Sequence, residues 1–271
     1  MIKIRDITIS NDLPFTLIAG PCAMESRDHA LMMQTEIKKI TDRLGIPFIF
    51  KTSFDKANRT SVDSKRGVGL GDAVLVFEEL SKKTSVLTDV HEPYQCDILK
   101  DVVDVLQIPA FLCRQTDLLV EAGDTGLAIN VKKGQFVAPE DMVNVVKKIE
   151  STGNKNIMLT ERGTFFGYGN LVVDYRGLEI MKETGYPVCM DATHAVQKPS
   201  GLGGVSGGDR KYVPVMAKAG LVQGIGALFV ETHDDPDNAF SDGPNMIPLD
   251  KLEEFLKHMK EIDEVIKNGR N

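Results

Sequence analysis

Short apolar segments alternate along the chain with longer amphipathic segments. The apolar segments are rich in β-branched residues, which is typical of buried strands. Eight of them recur, at residues 15–20, 47–53, 85–90, 105–110, 127–132, 157–163, 187–194 and 227–233. Strands that alternate with helices form a parallel sheet, and eight of them can close it. The pattern therefore predicts an α/β fold, a (β/α)8 TIM barrel forming a single domain over residues 1–271, with an open doubly wound sheet as the alternative.

The segments between the strands carry helical periodicity and helix-end signals. Ser26 has the residue type of an N-cap and precedes apolar residues spaced by three and four. Pro139 and Pro248 begin two further predicted helices, since proline is favoured in a first turn. Glycines are expected where helices stop, at Gly45, Gly153, Gly185 and Gly220. Residues 1–14 alternate apolar and polar positions and predict a short N-terminal strand or hairpin extension that closes the bottom of the barrel.

The charge and cysteine content narrow the class of protein. The 271 residues include 32 Lys and Arg against 39 Asp and Glu, a formal charge of −7. This acidic balance argues against general nucleic-acid binding, although it leaves room for a local basic pocket. No apolar run reaches the roughly 18 residues that span a bilayer, and the first residues lack an apolar signal core. Four cysteines without a CxxC pair indicate a cytoplasmic protein with reduced thiols.

Nearly every predicted strand ends in polar or charged residues. They are Cys22 and Glu25, Lys51 and Ser53, Asp89 and His91, Gln107, Asn130 and Lys132, Glu161 and Arg162, Asp191 and His194, and Glu231 and His233. In a barrel, the carboxyl ends of all strands face one mouth, where active sites lie. Any one of these residues can be read as a cap or turn residue. Together they favour a site, because buried charges need partners or ligands.

Two loops have the composition of ligand-binding segments. Residues 51–61, KTSFDKANRTS, hold three cations and several hydroxyl or amide donors, which suit a phosphate or a carboxylate. A solvated loop is the alternative. Residues 198–210 are glycine-rich, which permits close approach of backbone to a ligand or a flexible lid. Neither a P-loop nor the GxGxxG and HExxH patterns occur.

A mixed set of possible metal ligands lies at neighbouring strand ends. Cys22, His194, Glu231 and Asp242 offer sulfur, nitrogen and oxygen donors, a combination that suits a borderline divalent ion such as Zn²⁺, Fe²⁺ or Mn²⁺. Spacing alone is a weak argument for this site. The alternative is that Cys22 is simply a buried cysteine.

These motifs together resemble one enzyme family. The segments are IAGPCAMESRD, FKTSFDKANRTS, TDVHEP, LQIPAFLCRQTDLL, NVKKGQF, LTERGTFFGYGNLVVD, DATHAVQKPSGLGGVSGGDR and ETHDDPDNAFSDGPN. In register over about residues 15–260, they resemble the 3-deoxy-D-manno-octulosonate 8-phosphate synthases. The resemblance implies a transferase on a (β/α)8 barrel that condenses phosphoenolpyruvate with D-arabinose 5-phosphate, for lipopolysaccharide biosynthesis. The alternative is the related 3-deoxy-heptulosonate 7-phosphate synthase, which uses erythrose 4-phosphate. Its loop typically reads KPRTS where this chain has KANRT.

The resemblance also implies roles for individual residues. The metal-independent branch of the family has Asn where this chain has Cys22, so the likeness implies a divalent metal bound by Cys22, His194, Glu231 and Asp242. It implies a phosphoenolpyruvate pocket of Lys51, Ser53, Gln107, Lys132 and Arg162. It implies a pentose-phosphate pocket of Lys56, Asn58, Arg59, Thr60 and Asp89, with Arg59 and Thr60 serving across a subunit boundary of a homotetramer. The residues expected to take part in catalysis are Lys51, Asn58, Asp89 and His194.

Two other classes of function remain open from the sequence. A Schiff-base aldolase would use a strand-end lysine such as Lys51 or Lys132 as its nucleophile. A sugar-phosphate sensor on a barrel would bind both ligands and release no phosphate. Fold alone does not choose between these functions.

Overall fold

Parallel strands close into a barrel in the computed structural model, which describes residues 1–58, 61, 63–166, 169–198 and 207–269. The strands are β1 (Ile2–Ile4), β2 (Ile7–Ile9), β3 (Thr16–Gly20), β4 (Phe48–Lys51), β5 (Ser85–Asp89), β6 (Val105–Ile108), β7 (Ala128–Lys132), β8 (Ile157–Glu161), β9 (Thr164–Phe166), β10 (Asn170–Val172), β11 (Val188–Asp191), β12 (Gln197–Lys198), β13 (Gly207–Gly208), β14 (Ala227–His233) and β15 (Ile247–Pro248). Within the described residues, eight of these strands form the barrel wall in the order β3, β4, β5, β6, β7, β8, β11 and β14. Strand β14 pairs in parallel with both β11 and β3. This pairing closes the sheet, so the predicted (β/α)8 barrel is confirmed and the open doubly wound sheet is wrong.

A helix follows each barrel strand. The helices are α1 (Arg27–Leu44), α2 (Leu70–Ser81), α3 (Pro93–Leu99), α4 (Thr116–Asp124), α5 (Met142–Glu150), α6 (Arg176–Lys182), α7 (Val213–Leu221) and α8 (Leu249–Asn268). The barrel strands are buried along their whole length, because they face side chains inside the barrel and helices outside it. No helix in the described ranges is long and apolar enough to cross a membrane.

The ends of helix α1 show how local sequence sets an element. The Ser26 hydroxyl accepts a hydrogen bond from the His29 amide at 3.2 Å, as an N-cap does. Gly45 adopts the left-handed conformation, with φ of 64°, at the other end. Ala30, Met33 and Ile37 are buried on one face of the helix. The predicted cap, periodicity and stop are all confirmed for this helix.

One predicted helix end is wrong. Gly220 lies inside α7 rather than after it, while Gly224 has the positive φ, 68°, beyond the helix. A Cβ atom at Gly220 would lie 2.7 Å from Cγ of Met190. Glycine is therefore required at position 220 by close packing of α7 on β11, a tertiary constraint that a helix-end pattern does not contain.

The N-terminal extension is an antiparallel hairpin of β1 and β2, as predicted. Ile2, Ile4 and Ile9 are buried. Just after the hairpin, Oδ1 of Asn11 accepts a hydrogen bond from the amide of Val188 at 2.9 Å. Val188 is the first residue of β11, so this contact lies at the amino ends of the barrel strands, opposite the mouth.

Candidate active site

The carboxyl ends of the strands bring most of the predicted polar residues to one mouth. Lys51 ends β4, Asp89 ends β5, Lys132 ends β7 and Asp191 ends β11, while Glu231 lies within β14. All five are buried, with exposed fractions of 6% or less. Burial of so many charges requires that each finds a partner, and the hydrogen bonds at the mouth supply those partners.

Lys51 is ion-paired with a carboxylate from the far end of the chain. Its ammonium donates to Oε1 of Glu231 at 2.6 Å and to the backbone oxygen of Cys22 at 3.0 Å. The strands approach closely here, since a Cβ atom at Gly20 would lie 2.0 Å from the carbonyl oxygen of Lys51. A glycine that ends β3 therefore allows β4 to deliver Lys51 to this position.

The four predicted metal ligands come together. Cys22, His194, Glu231 and Asp242 each offer one donor atom, and these atoms all lie within 4.8 Å of one another. Nε2 of His194 lies 3.7 Å from Oε2 of Glu231 and 4.0 Å from Oδ2 of Asp242. The other ring nitrogen, Nδ1, is 2.7 Å from Oδ2 of Asp191. A carboxylate behind a histidine in this way fixes the ring and directs the second nitrogen toward a metal.

The electrostatics of this group also suit a cation. Burial raises the pKa of the Cys22 thiol, and the nearby Glu231 and Asp242 carboxylates raise it further. Oε2 of Glu231 is buried and has no hydrogen-bond partner among the described residues. A divalent ion would stabilise the thiolate and neutralise the facing carboxylates, so the residues present fit a borderline metal.

Lys132 occupies the other side of the same histidine. Its ammonium donates to the Asp191 carboxylate and lies 3.5 Å from Nδ1 of His194. It also lies 3.6 Å from the ring centroid of Phe229, a favourable cation–π contact. Burial would raise the pKa of Asp191, but the His194 and Lys132 charges outweigh it and hold that pKa well below its usual range.

Asp89 forms a third buried group with residues of the predicted substrate pockets. Its carboxylate accepts hydrogen bonds from the Ser53 hydroxyl and from the Gln107 amide. The Lys56 ammonium donates to Oγ of Ser53 at 2.9 Å and lies 3.5 Å from Oδ2 of Asp89. Burial would raise the pKa of Asp89, but Lys56 and Lys51 lower it well below its usual range. Asp89 is therefore an acceptor of fixed orientation.

A chain of buried hydrogen bonds continues from Gln107 across the next two strands. Nδ2 of Asn130 donates to Oε1 of Gln107 at 2.8 Å, and the Thr160 hydroxyl donates to Oδ1 of Asn130 at 2.6 Å. The sequence marks Asn130 as a strand-end residue, whereas Thr160 has no distinguishing signal inside its apolar run. The chain fixes the amide of Gln107 with its NH2 group toward Asp89.

Arg162 lies at the mouth beside the metal-ligand group. Its Nη2 donates to Oε1 of Gln197 at 2.9 Å, whereas its Nη1 is buried without a hydrogen-bond partner among the described residues. Burial lowers the pKa of this guanidinium. Gln197 in turn donates to Oδ1 of Asp242 at 2.8 Å and so joins Arg162 to the metal-ligand group. Sequence reasoning missed Gln197, whose only signal is its place just before the glycine-rich segment.

The remaining predicted residues belong to the loops. Asn58 lies in an exposed turn after β4 and is not drawn into the buried groups. Arg59 and Thr60 lie outside the described residues, as do positions 199–206 of the glycine-rich segment. Their predicted contacts with a sugar phosphate stay predictions.

Comparison with known proteins places this barrel in a family. The model of the DAHP synthetase I family matches residues 1–268. The chain belongs to the DAHP synthetase I family. Several curated relatives are named 2-dehydro-3-deoxyphosphooctonate aldolase. The one from Rickettsia bellii (strain OSU 85-389) is 58% identical, with 98% of each chain covered.

Relatives with the same name occur in other bacteria. The Bartonella henselae protein is 54% identical over 97% of this chain and 95% of the relative. The Brucella anthropi protein is 55% identical over 98% of this chain and 97% of the relative. The resemblance drawn from the motifs to the octulosonate-forming members of the DAHP synthetase I family is thereby confirmed.

Proposed function

We propose that the protein condenses phosphoenolpyruvate with D-arabinose 5-phosphate and water to give 3-deoxy-D-manno-octulosonate 8-phosphate and phosphate. The observation that carries the proposal is the convergence of three buried cations, Lys51, Lys132 and Arg162, at one mouth. The name shared by the relatives, which denotes the same eight-carbon product, supports the choice of reaction. Condensation requires two phosphates and a carboxylate to be held together, and such anions need cations.

The charge balance of the mouth supports anionic substrates only when a cation is added. The hydrogen-bonded groups described above contribute four cationic side chains and four carboxylates, which balance. They are Lys51, Lys56, Lys132 and Arg162, and Asp89, Asp191, Glu231 and Asp242. A divalent ion, together with the Cys22 thiolate that it would stabilise, would therefore leave an excess of one positive charge. That excess favours an enol phosphate that also carries a carboxylate.

The substrate-binding roles of the mouth residues follow from the hydrogen-bond donors that each one can offer to a ligand. Nη1 of Arg162 is buried without a partner in the described part of the chain, so an incoming carboxylate or phosphate would satisfy it. Lys51 and Lys132 supply fixed positive charge beside it and would hold the anionic groups of phosphoenolpyruvate while its methylene carbon attacks the aldehyde. Lys56 and Asp89 lie on the side where the aldose would be held, while Ser53, which contacts both, belongs to the proposed phosphoenolpyruvate pocket.

We infer that Cys22, His194, Glu231 and Asp242 hold a divalent metal, of the Zn²⁺, Fe²⁺ or Mn²⁺ type. Such an ion, when bound, supplies Lewis acidity toward a carbonyl oxygen or a water molecule. Asp191 keeps His194 in the orientation that exposes Nε2 to the other three ligands. Because both ring nitrogens of His194 are then engaged, His194 serves the reaction by position rather than as a free base.

The alternative functions are less well supported. Use of erythrose 4-phosphate is not favoured, because the similar relatives carry the octonate name. A Schiff-base aldolase needs an unprotonated amine, whereas the Lys51 and Lys132 ammonium groups each donate to a buried carboxylate. A sensor without catalysis would not explain a complete set of possible metal ligands beside the cationic groups.

Phosphate release measured with two aldoses tests the proposal. The purified protein is incubated with phosphoenolpyruvate and either D-arabinose 5-phosphate or erythrose 4-phosphate, with and without chelator, and the products are identified by mass spectrometry. We expect release with arabinose 5-phosphate, at least tenfold faster than with erythrose 4-phosphate, and its loss with chelator. Release that depends on erythrose 4-phosphate alone would contradict the proposed substrate.

A pair of cysteine variants tests the metal ligands. Cys22→Ala should lose bound metal and activity together, with Cys189→Ala as the control, because Cys189 is also buried but lies outside the ligand group. Full activity of chelator-treated Cys22→Ala would refute the ligand assignment. We further propose a homotetramer, with a mass of about 119 kDa, four times the 29.8 kDa chain, by light scattering. Location in the cytoplasm stays a prediction from the sequence.

A further inference from the structure

A second polar cluster follows two of the strands that carry the metal-ligand group. Glu25, His29 and His233 each offer a donor atom, and these atoms lie within 4.8 Å of one another. Glu25 comes three residues after Cys22, and His233 comes two residues after Glu231 at the end of β14. His233 is only 4% exposed. The composition of the cluster alone would suit either another metal or a hydrogen-bonded clamp.

The hydrogen bonds of His233 decide between these two possibilities. The backbone N–H of Asp235 lies 2.9 Å from Nδ1 of His233, and an N–H group can only donate. Nδ1 therefore accepts this bond, although Oδ1 of Asp234 also lies 3.1 Å from it, and the ring N–H that faces Glu25 is on Nε2. Nε2 lies 3.2 Å from Oε1 of Glu25 and so donates to it. Both ring nitrogens of His233 are thus engaged by groups of the protein, so this geometry favours a clamp.

The same carboxylate oxygen reaches a third segment of the chain. Oε1 of Glu25 also accepts the backbone N–H of Phe240 at 2.8 Å. Phe240 comes two residues before Asp242, which has a left-handed φ of 54° although it is not glycine. Such a conformation persists only when surrounding contacts hold it. Ser241, between them, donates from its hydroxyl to Oδ2 of Asp242 at 3.0 Å.

We propose that Glu25 is a positioning residue that, with His233, clamps the segment 240–242 against the loop that carries Cys22. The clamp holds the Asp242 carboxylate where the Cys22 thiol can donate to it, at 3.1 Å between Sγ and Oδ2. Two metal ligands from opposite ends of the chain thus depend on one acceptor oxygen that binds neither substrate nor metal. The proposal rests on the proposed function in one respect only, namely that Cys22 and Asp242 bind a metal.

Variants of Glu25 test whether this residue acts as a hydrogen-bonding clamp, as a charge or as a metal ligand. Both hydrogen bonds end on Oε1, so the amide oxygen of Glu25→Gln keeps them, whereas Glu25→Ala loses both. Glu36→Ala is the matched control, because Glu36 lies on α1 and contacts only Lys39 among the described ion pairs. The first readout is the alkylation rate of Cys22 by iodoacetamide, resolved by peptide mapping from the other three buried cysteines.

We expect Glu25→Ala to speed Cys22 alkylation at least tenfold, while Glu25→Gln and Glu36→Ala stay within twofold of the wild type. The second readout is Co²⁺ affinity from the thiolate-to-cobalt absorption band, which should fall at least tenfold in Glu25→Ala only. If Glu25→Ala does not fold, Glu25→Asp, which is one methylene too short to keep both bonds, should show the same changes in smaller measure.

The outcomes distinguish this proposal from the proposed function. A wild-type protein that binds no Co²⁺ through Cys22 would end the metal proposal, and the alkylation rates would still test the clamp. Unchanged alkylation in Glu25→Ala would overturn the clamp. Equal impairment of Glu25→Gln and Glu25→Ala would also overturn it, because the carboxylate charge would then be what matters.

Discussion

Removing one member of the Lys51–Glu231 pair should strongly destabilise the barrel. The two charged atoms are 2.6 Å apart, and the side chains are 1% and 0% exposed. Lys51→Met keeps the length of the side chain and removes the charge. It leaves the Glu231 carboxylate buried, with its second oxygen already lacking a partner in the described part of the chain. Breaking a buried pair from one side lowers the free energy of unfolding by about 3–5 kcal/mol.

Removing both charges should recover most of the free energy of unfolding that the single variant loses. Replacing a buried ion pair by apolar residues of similar volume is often neutral, or stabilising by about 1–4 kcal/mol. The double variant Lys51→Met, Glu231→Leu should therefore have a free energy of unfolding near that of the wild type, although it should have no activity. For a domain of this size, each kcal/mol shifts Tm by roughly 2–4 °C. The single variant should melt roughly 6–20 °C below the double one.

Urea unfolding followed by circular dichroism measures these differences, at one protein concentration and with chelator present so that no metal contributes. Lys39→Met is the control, because Lys39 pairs with Glu36 at the exposed surface and should change the free energy by less than about 1 kcal/mol. A Lys51→Met protein whose free energy of unfolding lies within about 1 kcal/mol of the wild type would contradict the expected cost of an unpaired buried carboxylate. So would a double variant no more stable than the single one.

Three further predictions test other contacts of the mouth. Gly20→Ala should lower Tm, because its Cβ would lie 2.0 Å from the carbonyl oxygen of Lys51. Overpacking of this kind lowers the free energy of unfolding by about 1–3 kcal/mol, and an unchanged Tm would contradict the close approach of the two strands. Asp89 has a pKa below its unfolded value of about 3.9, so its stabilisation is present above pH 4 and is lost as the pH falls. Asp89→Asn should therefore flatten the acid limb of unfolding free energy against pH, and an acid limb as steep as that of the wild type would exclude this contribution. Arg162→Lys should lower kcat/KM for phosphoenolpyruvate about tenfold to a hundredfold, from loss of a charged hydrogen bond, whereas equal steady-state kinetics would remove Arg162 from the pocket.

The eight predicted strands overlap those of the barrel. Five of the predicted runs extend past the carboxyl end of the hydrogen-bonded strand, as in the run 187–194 against Val188–Asp191, whereas the runs 15–20, 127–132 and 227–233 end with the strand. Those extra residues turn into the mouth, and His194 lies in a short 3₁₀ turn. Residue composition marks the apolar interior of a strand clearly. It does not mark the residue at which the backbone leaves the sheet.

The location of the candidate site could be predicted from the sequence, but the hydrogen bonds between its residues could not. Strand-end position is a local property, so Lys51 and Asp89 could be assigned to the mouth from the sequence. The bridging role of Gln197 depends on Asp242, which lies 45 residues away in sequence and 2.8 Å away in space. Close packing explains the error at Gly220 in the same way, since the constraint comes from Met190 on another element.

The barrel class, the mouth and most of the charged residues at the strand ends follow from the sequence alone, because periodicity and strand ends are local properties of short stretches of chain. The tertiary structure alone decided the partners. Lys51 pairs with Glu231, 180 residues away, because closure places β14 beside β3. Closure also brings Phe240 to Glu25. Pairing of buried charges depends on distances of a few ångströms between remote segments, and only the closed barrel sets those distances.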